Sequence, residues 1–233
     1  MTRHELKEQL QHDQFTDSVS GALEYASSHK RRIVQWTVIG AVVILAIIAI
    51  FWYNSYRRSV RQQNLQAAFT VLDTQVGPHS DFAKTFSTQE EKLKASINAL
   101  SNVVSKDGGT KEGYLAQYYR GTLKSQQNDA QGAEADLRAV ANSSSDSAAL
   151  AKIALAQIYL ASKRTSEAQD LLRSLVNKPT DLVSKAQAEV LLAQMDATVN
   201  PRESKKILQG LKAPNQSPAV SHAVDQLSAQ LAQ

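Results

Sequence analysis

Hydrophobic positions along this chain follow two different patterns, one continuous and one periodic. The continuous pattern covers residues 33–53, which carry no charged side chain and include the run AVVILAIIAIF at 41–51. At about 1.5 Å per residue, a helix of that length spans roughly the 30 Å of a bilayer's hydrocarbon core. The chain's two tryptophans, Trp36 and Trp52, stand at its ends, with Tyr53 and Tyr56 beside the second. Amphipathic rings collect at membrane–water boundaries, so this placement argues for a span independently of hydropathy. Lys30, Arg31 and Arg32 precede the segment and Arg57 and Arg58 follow it, as interfacial cations do. A cleaved signal would have a shorter apolar stretch nearer the start and a small-x-small site after it. Here WYNSYRRS follows, so the segment is expected to persist as an anchor.

Beyond the span, apolar residues recur at helical spacing. Leu65, Ala68, Phe69 and Leu72 predict a helix over residues 62–76, followed by a looser stretch around Gly77-Pro78. Leu93, Ile97, Leu100 and Val104 form one stripe over 90–104, which Gly108-Gly109 ends with a chain reversal. The five prolines fall between periodic segments or in a first turn, where a missing amide is harmless. Ahead of the span, Thr2 and Glu5 have capping-box spacing, and Leu6, Leu10, Val19 and Leu23 predict an amphipathic helix. That helix either lies at the interface or docks a cytoplasmic partner. The patterns divide the chain into an N-terminal tail (1–32), a span (33–53) and a helical domain (54–233).

The helical domain also repeats. Residues 118–140 overlay residues 152–176 at an offset of 35, pairing Gly121 with Ala156, Ala133 with Ala168 and Leu137 with Leu172. A weaker third copy places Leu192, Ser204, Leu208 and Leu211 about 36 further on. Small residues let two helices approach, and paired helices bury their apolar faces only by stacking on neighbours. The period and small residues resemble tetratricopeptide repeats, although only Tyr159 keeps an aromatic where Lys124 and Asp196 stand in the other copies. The expected fold is therefore all-α: one N-terminal transmembrane helix, then a tetratricopeptide-like solenoid of helical hairpins, with residues 217–233 as its cap. A bundle without solenoid curvature is the competing arrangement.

Charge removes one class of partner. The chain's formal charge is +4, and the first 32 residues hold five basic and five acidic side chains. Of 26 basic and 22 acidic residues in all, 21 and 17 remain for the rest, including three juxtamembrane arginines. The domain is nearly neutral, which gives no case for nucleic acid. Cysteine is absent, which excludes disulfides and thiol chemistry. Basic residues near the span balance almost evenly, and Arg3 and Lys7 tip the positive-inside bias toward a cytoplasmic N-terminus.

No catalytic constellation emerges. His4, His12, His29, His79 and His222 lack ligand spacing, and Gly108-Gly109 has no phosphate-loop context. Neither an enzymatic activity, a metal nor a cofactor is expected. Binding residues are expected on the first helix of each hairpin, namely Tyr118, Thr122, Gln157 and Glu189, with Tyr118 and Tyr119 reading equally well as core.

The order of tail, span and degenerate repeats, with HELKEQLQ near the start, KRR before the span and Ala-rich pairs around Gly121 and Ala156, resembles the YfgM-like family. That family is an ancillary subunit of the bacterial Sec translocon. The resemblance implies a single-pass inner-membrane protein with a periplasmic domain, whose partners are translocon subunits, exported polypeptides or periplasmic chaperones. A self-associating scaffold or assembly factor in cell-envelope biogenesis or division is the other role the architecture fits.

Overall fold

The computed structural model describes residues 30–78, 85–212 and 217–231. The expected amphipathic helix of the tail, four of the five histidines and Pro214 lie outside them. Among the described residues there are nine helices and no strand, only an isolated parallel bridge between Val76 and Phe86. The chain divides into two units, Met1–Ser59 and Val60–Gln233.

In the first unit the described residues belong to one helix, α1, which begins at Lys30 and continues to Asp73. Its most apolar stretch has a mean hydropathy of 2.5 and is 0% buried, so it is long and apolar enough to cross a membrane. Trp36 and Trp52 are 72% and 81% exposed, and Tyr53, Tyr56, Arg31, Arg57 and Arg58 are exposed as well. Lys30 and Arg32 lie in the first turns. The tryptophans stand 16 positions apart, a rise of about 24 Å along the axis. The separate helix expected over 62–76 is instead the continuation of α1. Residues 54–61 contain neither proline nor glycine, so nothing interrupts the hydrogen-bond ladder.

In the second unit, the end of α1 packs with α2 (Gln89–Asp107) and α3 (Lys111–Gln126) through Leu65, Ala68, Leu100, Val103 and Ala116. Arg61 Nε pairs with Glu112 at 3.3 Å and Asn64 donates to Asp107 at 3.2 Å. Three hairpins follow. The first is α3 with α4 (Ala130–Ala141), and the second is α5 (Ala148–Ala161) with α6 (Thr165–Asn177). The third is α7 (Lys185–Val199) with α8 (Pro201–Gly210), and α9 (Pro218–Gln230) closes the stack. The second helices begin at 130, 165 and 201, so the steps are 35 and 36 residues.

Local sequence sets these boundaries. Thr88, Thr110, Asp129, Ser184, Asn200 and Ser217 each accept a hydrogen bond from a backbone amide two or three residues into the following helix. Ser184 and Gln187 form a reciprocal capping box, and Pro201 and Pro218 occupy first-turn positions. Asn128 and Lys163, 35 apart, both take positive φ (62° and 59°) and turn the chain between the helices of their hairpins.

Small residues mark the crossings. A Cβ on Gly121 would meet Leu137 Cγ at 2.8 Å, and Ala133, Ala156 and Ala168 are buried. Ser204 is fully buried in the third hairpin, and its hydroxyl donates to the Ala193 carbonyl at 2.7 Å. One apolar cluster joins α4 to α7 through Leu137, Leu155, Leu172, Leu175 and Met195, and a second joins α7, α8 and α9 through Ala193, Leu208, Val220 and Val224.

Candidate functional site

The first helices of the hairpins, α3, α5 and α7, carry equivalent residues at steps of 35 and 37. Gly121, Ala156 and Ala193 are the small, buried members of one such set. The next position outward holds Thr122, Gln157 and Gln194, and the position four residues earlier holds Tyr118, Ile153 and Val190. An uncharged polar ladder thus runs beside an apolar one, because residues four apart share a helix face.

These ladders open on a run of clefts. Thr122, Ser125, Gln126, Ile158 and Gln157 line one of about 440 Å³ between α3 and α5. Gln157 also lines a second, of about 200 Å³, with Ile153, Leu160, Leu191 and Gln194. Ile153 and Leu191 continue into a third, of about 310 Å³, with Leu150, Leu182, Val190 and Ala223. A fourth, of about 120 Å³, lies between Gln194 and Val190 on α7 and Ala223 and Gln226 on α9. Shared residues connect all four.

Two of the four residues expected at the binding face are brought together here, Thr122 and Gln157. Tyr118 is half-buried, packs against the main core and meets Tyr119 edge-to-face at 5.3 Å between centroids. Burial raises its hydroxyl pKa above the ordinary value, with the neighbouring Tyr119 adding to the effect. Glu189 reaches back one turn to Lys185 at 3.7 Å and lines none of the four clefts. Gln194 occupies the third hairpin's position instead. The connection between α6 and α7 lengthens the first-helix step to 37, whereas an offset of 36 from Gln157 lands on the buried Ala193.

Sequence reasoning also missed a polar link between consecutive hairpins. The Tyr159 hydroxyl donates to Glu134 at 3.2 Å, from α5 to the preceding α4. At the same register, Gln169 on α6 donates to Asp196 on α7 at 2.6 Å. Glu134 and Gln169 are 35 apart, so the repeat offset applied to polar residues would have found the pair. Asp196 is 1% exposed, and among the described residues its second carboxylate oxygen has no partner.

The surrounding charges are paired. Arg164 bridges Glu134 at 2.8 Å and Glu167 at 2.6 Å, and its guanidinium lies 3.9 Å from the Tyr159 ring centroid. Burial pushes the Glu134 carboxyl up, but hydrogen bonds from Arg164 and Tyr159 outweigh it and hold the carboxyl below its usual range. In the first hairpin, Arg120 clasps Asp136 with two nitrogens, one at 2.8 Å, and Lys124 approaches the same carboxylate at 2.8 Å. Burial opposes ionisation of Asp136 too, and these two cations overcome it, so its pKa is also depressed. These groups make helix-to-helix bonds and are used up in doing so. Among the described residues, no cluster of three His, Cys, Asp or Glu side chains has the arrangement to hold a metal ion.

Comparison with curated proteins finds no match, and comparison with solved structures finds none either. A family model described as a tetratricopeptide repeat-like domain matches residues 34–228. The match begins inside the apolar part of α1 and ends within α9, covering every hairpin and both ladders. The chain belongs to the tetratricopeptide repeat-like domain family, whose repeats form protein–protein interaction modules.

Proposed function

We propose that this chain is a single-span inner-membrane protein whose repeat domain holds other polypeptides beside the Sec translocon. In this reading residues 33–53 cross the bilayer, and the N-terminal tail faces the cytoplasm. Residues 54–233 lie in the periplasm. Lys30, Arg31, Arg32, Arg57 and Arg58 sit among lipid head groups, with Trp36, Trp52 and Tyr53 at the two boundaries. Exported polypeptides or periplasmic chaperones occupy the face lined by Thr122 and Gln157. The YfgM-like resemblance supplies the translocon.

The observation that carries this reading is the family match that starts at Val34, so that one match takes in both an exposed apolar stretch and the repeats. An interaction module with its own lipid anchor acts where its guests cross or leave the membrane. The cleft-bearing face, free of paired charges, supports the guest being polypeptide.

Topology and partner are tested together. A reporter active only outside the cytoplasm, fused after Gln233, is expected to be active. Crosslinking followed by affinity purification of the full chain is expected to recover translocon subunits or periplasmic chaperones above background. A silent reporter, with a cytoplasm-active reporter working at the same site, would invert the protein. Normal topology with no such partner recovered would leave the envelope-scaffold role.

A further inference from the structure

Charged residues make up 21% of the chain, yet among the described residues none lines any of the four connected clefts. The lining is apolar side chains, a few hydroxyls, and side-chain amides that include Gln157 and Gln194. Gln157 and Gln194 are exposed, and among the described residues neither side chain is hydrogen-bonded within the chain. Each amide offers a donor and an acceptor, which is the requirement of a peptide backbone. Two of the clefts, of about 120 and 200 Å³, fall below the roughly 300–1,000 Å³ typical of small-molecule pockets, and the others, of about 310 and 440 Å³, fall in its lower part. They take side chains a few at a time.

From this we infer that the face selects an uncharged, apolar segment of another polypeptide, bound in extended form across α3, α5 and α7. The inference rests on the polypeptide-holding reading above and names its substrate class. Alternate side chains of an extended segment point to the same side. Those side chains enter the apolar clefts along Ile153 and Val190. The backbone meets an uncharged polar group at Thr122, Gln157 and Gln194 in turn. A helix with side chains is about 10–12 Å across and a strand advances about 3.3 Å per residue, so one helix is passed roughly every three residues. About ten residues cross all three. An acidic segment finds no cation here, and any charged side chain would lose water without gaining a partner. The neutrality of the lining therefore rejects charged segments as well as accepting apolar ones.

The test uses the full chain in lipid nanodiscs and fluorescence anisotropy of labelled twelve-residue peptides, with binding to empty nanodiscs subtracted. One peptide alternates leucine and serine. Others replace two serines with glutamate or with lysine, and one reorders the same residues into a helical pattern. The alternating neutral peptide is expected to bind with a Kd that changes less than about twofold between roughly 50 and 500 mM salt. Gln157→Glu is expected to weaken it about tenfold and to strengthen the lysine peptide. Gln157 is exposed, so the domain stays folded, which unfolding curves check. Salt-dependent, tighter binding of the glutamate peptide would overturn the inference, as would a preference for the helical isomer. If no peptide binds while photo-crosslinks from position 157 still trap other proteins, this inference falls and the polypeptide-holding reading stands. If both fail, both fall.

Discussion

Two helices in this chain are strongly apolar, and they meet opposite fates. In α1, Val42, Ile44, Leu45, Ile47, Ile48 and Ile50 are all more than half exposed. In α5, AALAKIALAQIYLA, the apolar residues Ala149, Ala151, Leu155, Ala156 and Tyr159 are buried. Mean apolarity does not separate them; length and side-chain size do. The charge-free part of α1 is 21 residues of mostly branched and aromatic side chains, fenced by cations. The whole of α5 is 14 residues, six of them alanine, with Lys152 donating to Ser174 at 3.0 Å on α6. Alanine lets neighbouring backbones approach, so α5 finds its apolar surroundings in α4, α6 and α7. Bulky branched residues on α1 project into surroundings that, in the proposed reading, the bilayer supplies.

The same truncation should therefore act differently in the two helices. Leu155→Ala is expected to cost the repeat domain about 2–5 kcal/mol, measured by denaturant unfolding of the full chain in nanodiscs. Ile44→Ala should leave that unfolding curve in place. Equal losses at both sites would erase the distinction.

Next in size is Asp136, the buried carboxylate between Arg120 and Lys124. Asp136→Asn leaves two cations facing a neutral group and is expected to cost about 3 kcal/mol at neutral pH. The folded pKa lies below the ordinary 3.8, so the stabilisation is fully present above that value. It is lost as pH falls through the folded pKa. Stability curves from pH 7 downward should show the wild-type chain losing this contribution in acid and the asparagine variant declining less steeply.

Gly121→Val tests the crossing of α3 and α4. Its side chain would press into Leu137 and Asp136, and the expected cost is about 1–3 kcal/mol by the same unfolding measurement. The smallest effect is assigned to Glu167→Gln, which removes a half-exposed partner of Arg164. Glu134 still holds that guanidinium, so the melting temperature should not move measurably.

Much of this architecture could be read from residue types. The span followed from a charge-free run, and the hairpins followed from Gly121, Ala133, Ala156, Ala168 and Ser204 recurring near one period. Three features could not be read so. Continuity of α1 through residues 54–61 depended on the absence of a breaker, which a pattern search for separate helices overlooks. The extra residue in the first-helix step arises before α7, where the third copy has too few matching residues to fix its register. An offset of 36 pairs Leu192 rather than Ala193 with Ala156 and so passes over Gln194. The Tyr159–Glu134 and Asp196–Gln169 links join different side-chain chemistries at one position, so identity matching passes over them.

The polypeptide-holding face is the central claim, and one measurement addresses it directly. A photo-crosslinking residue is placed at Gln157 in the full-length protein in its membrane, with a second protein carrying it at Arg173, exposed on α6 and outside the four clefts. Position 157 is predicted to yield adducts with other polypeptides that position 173 does not. Adducts of equal yield from both positions, or none from position 157, would contradict the account.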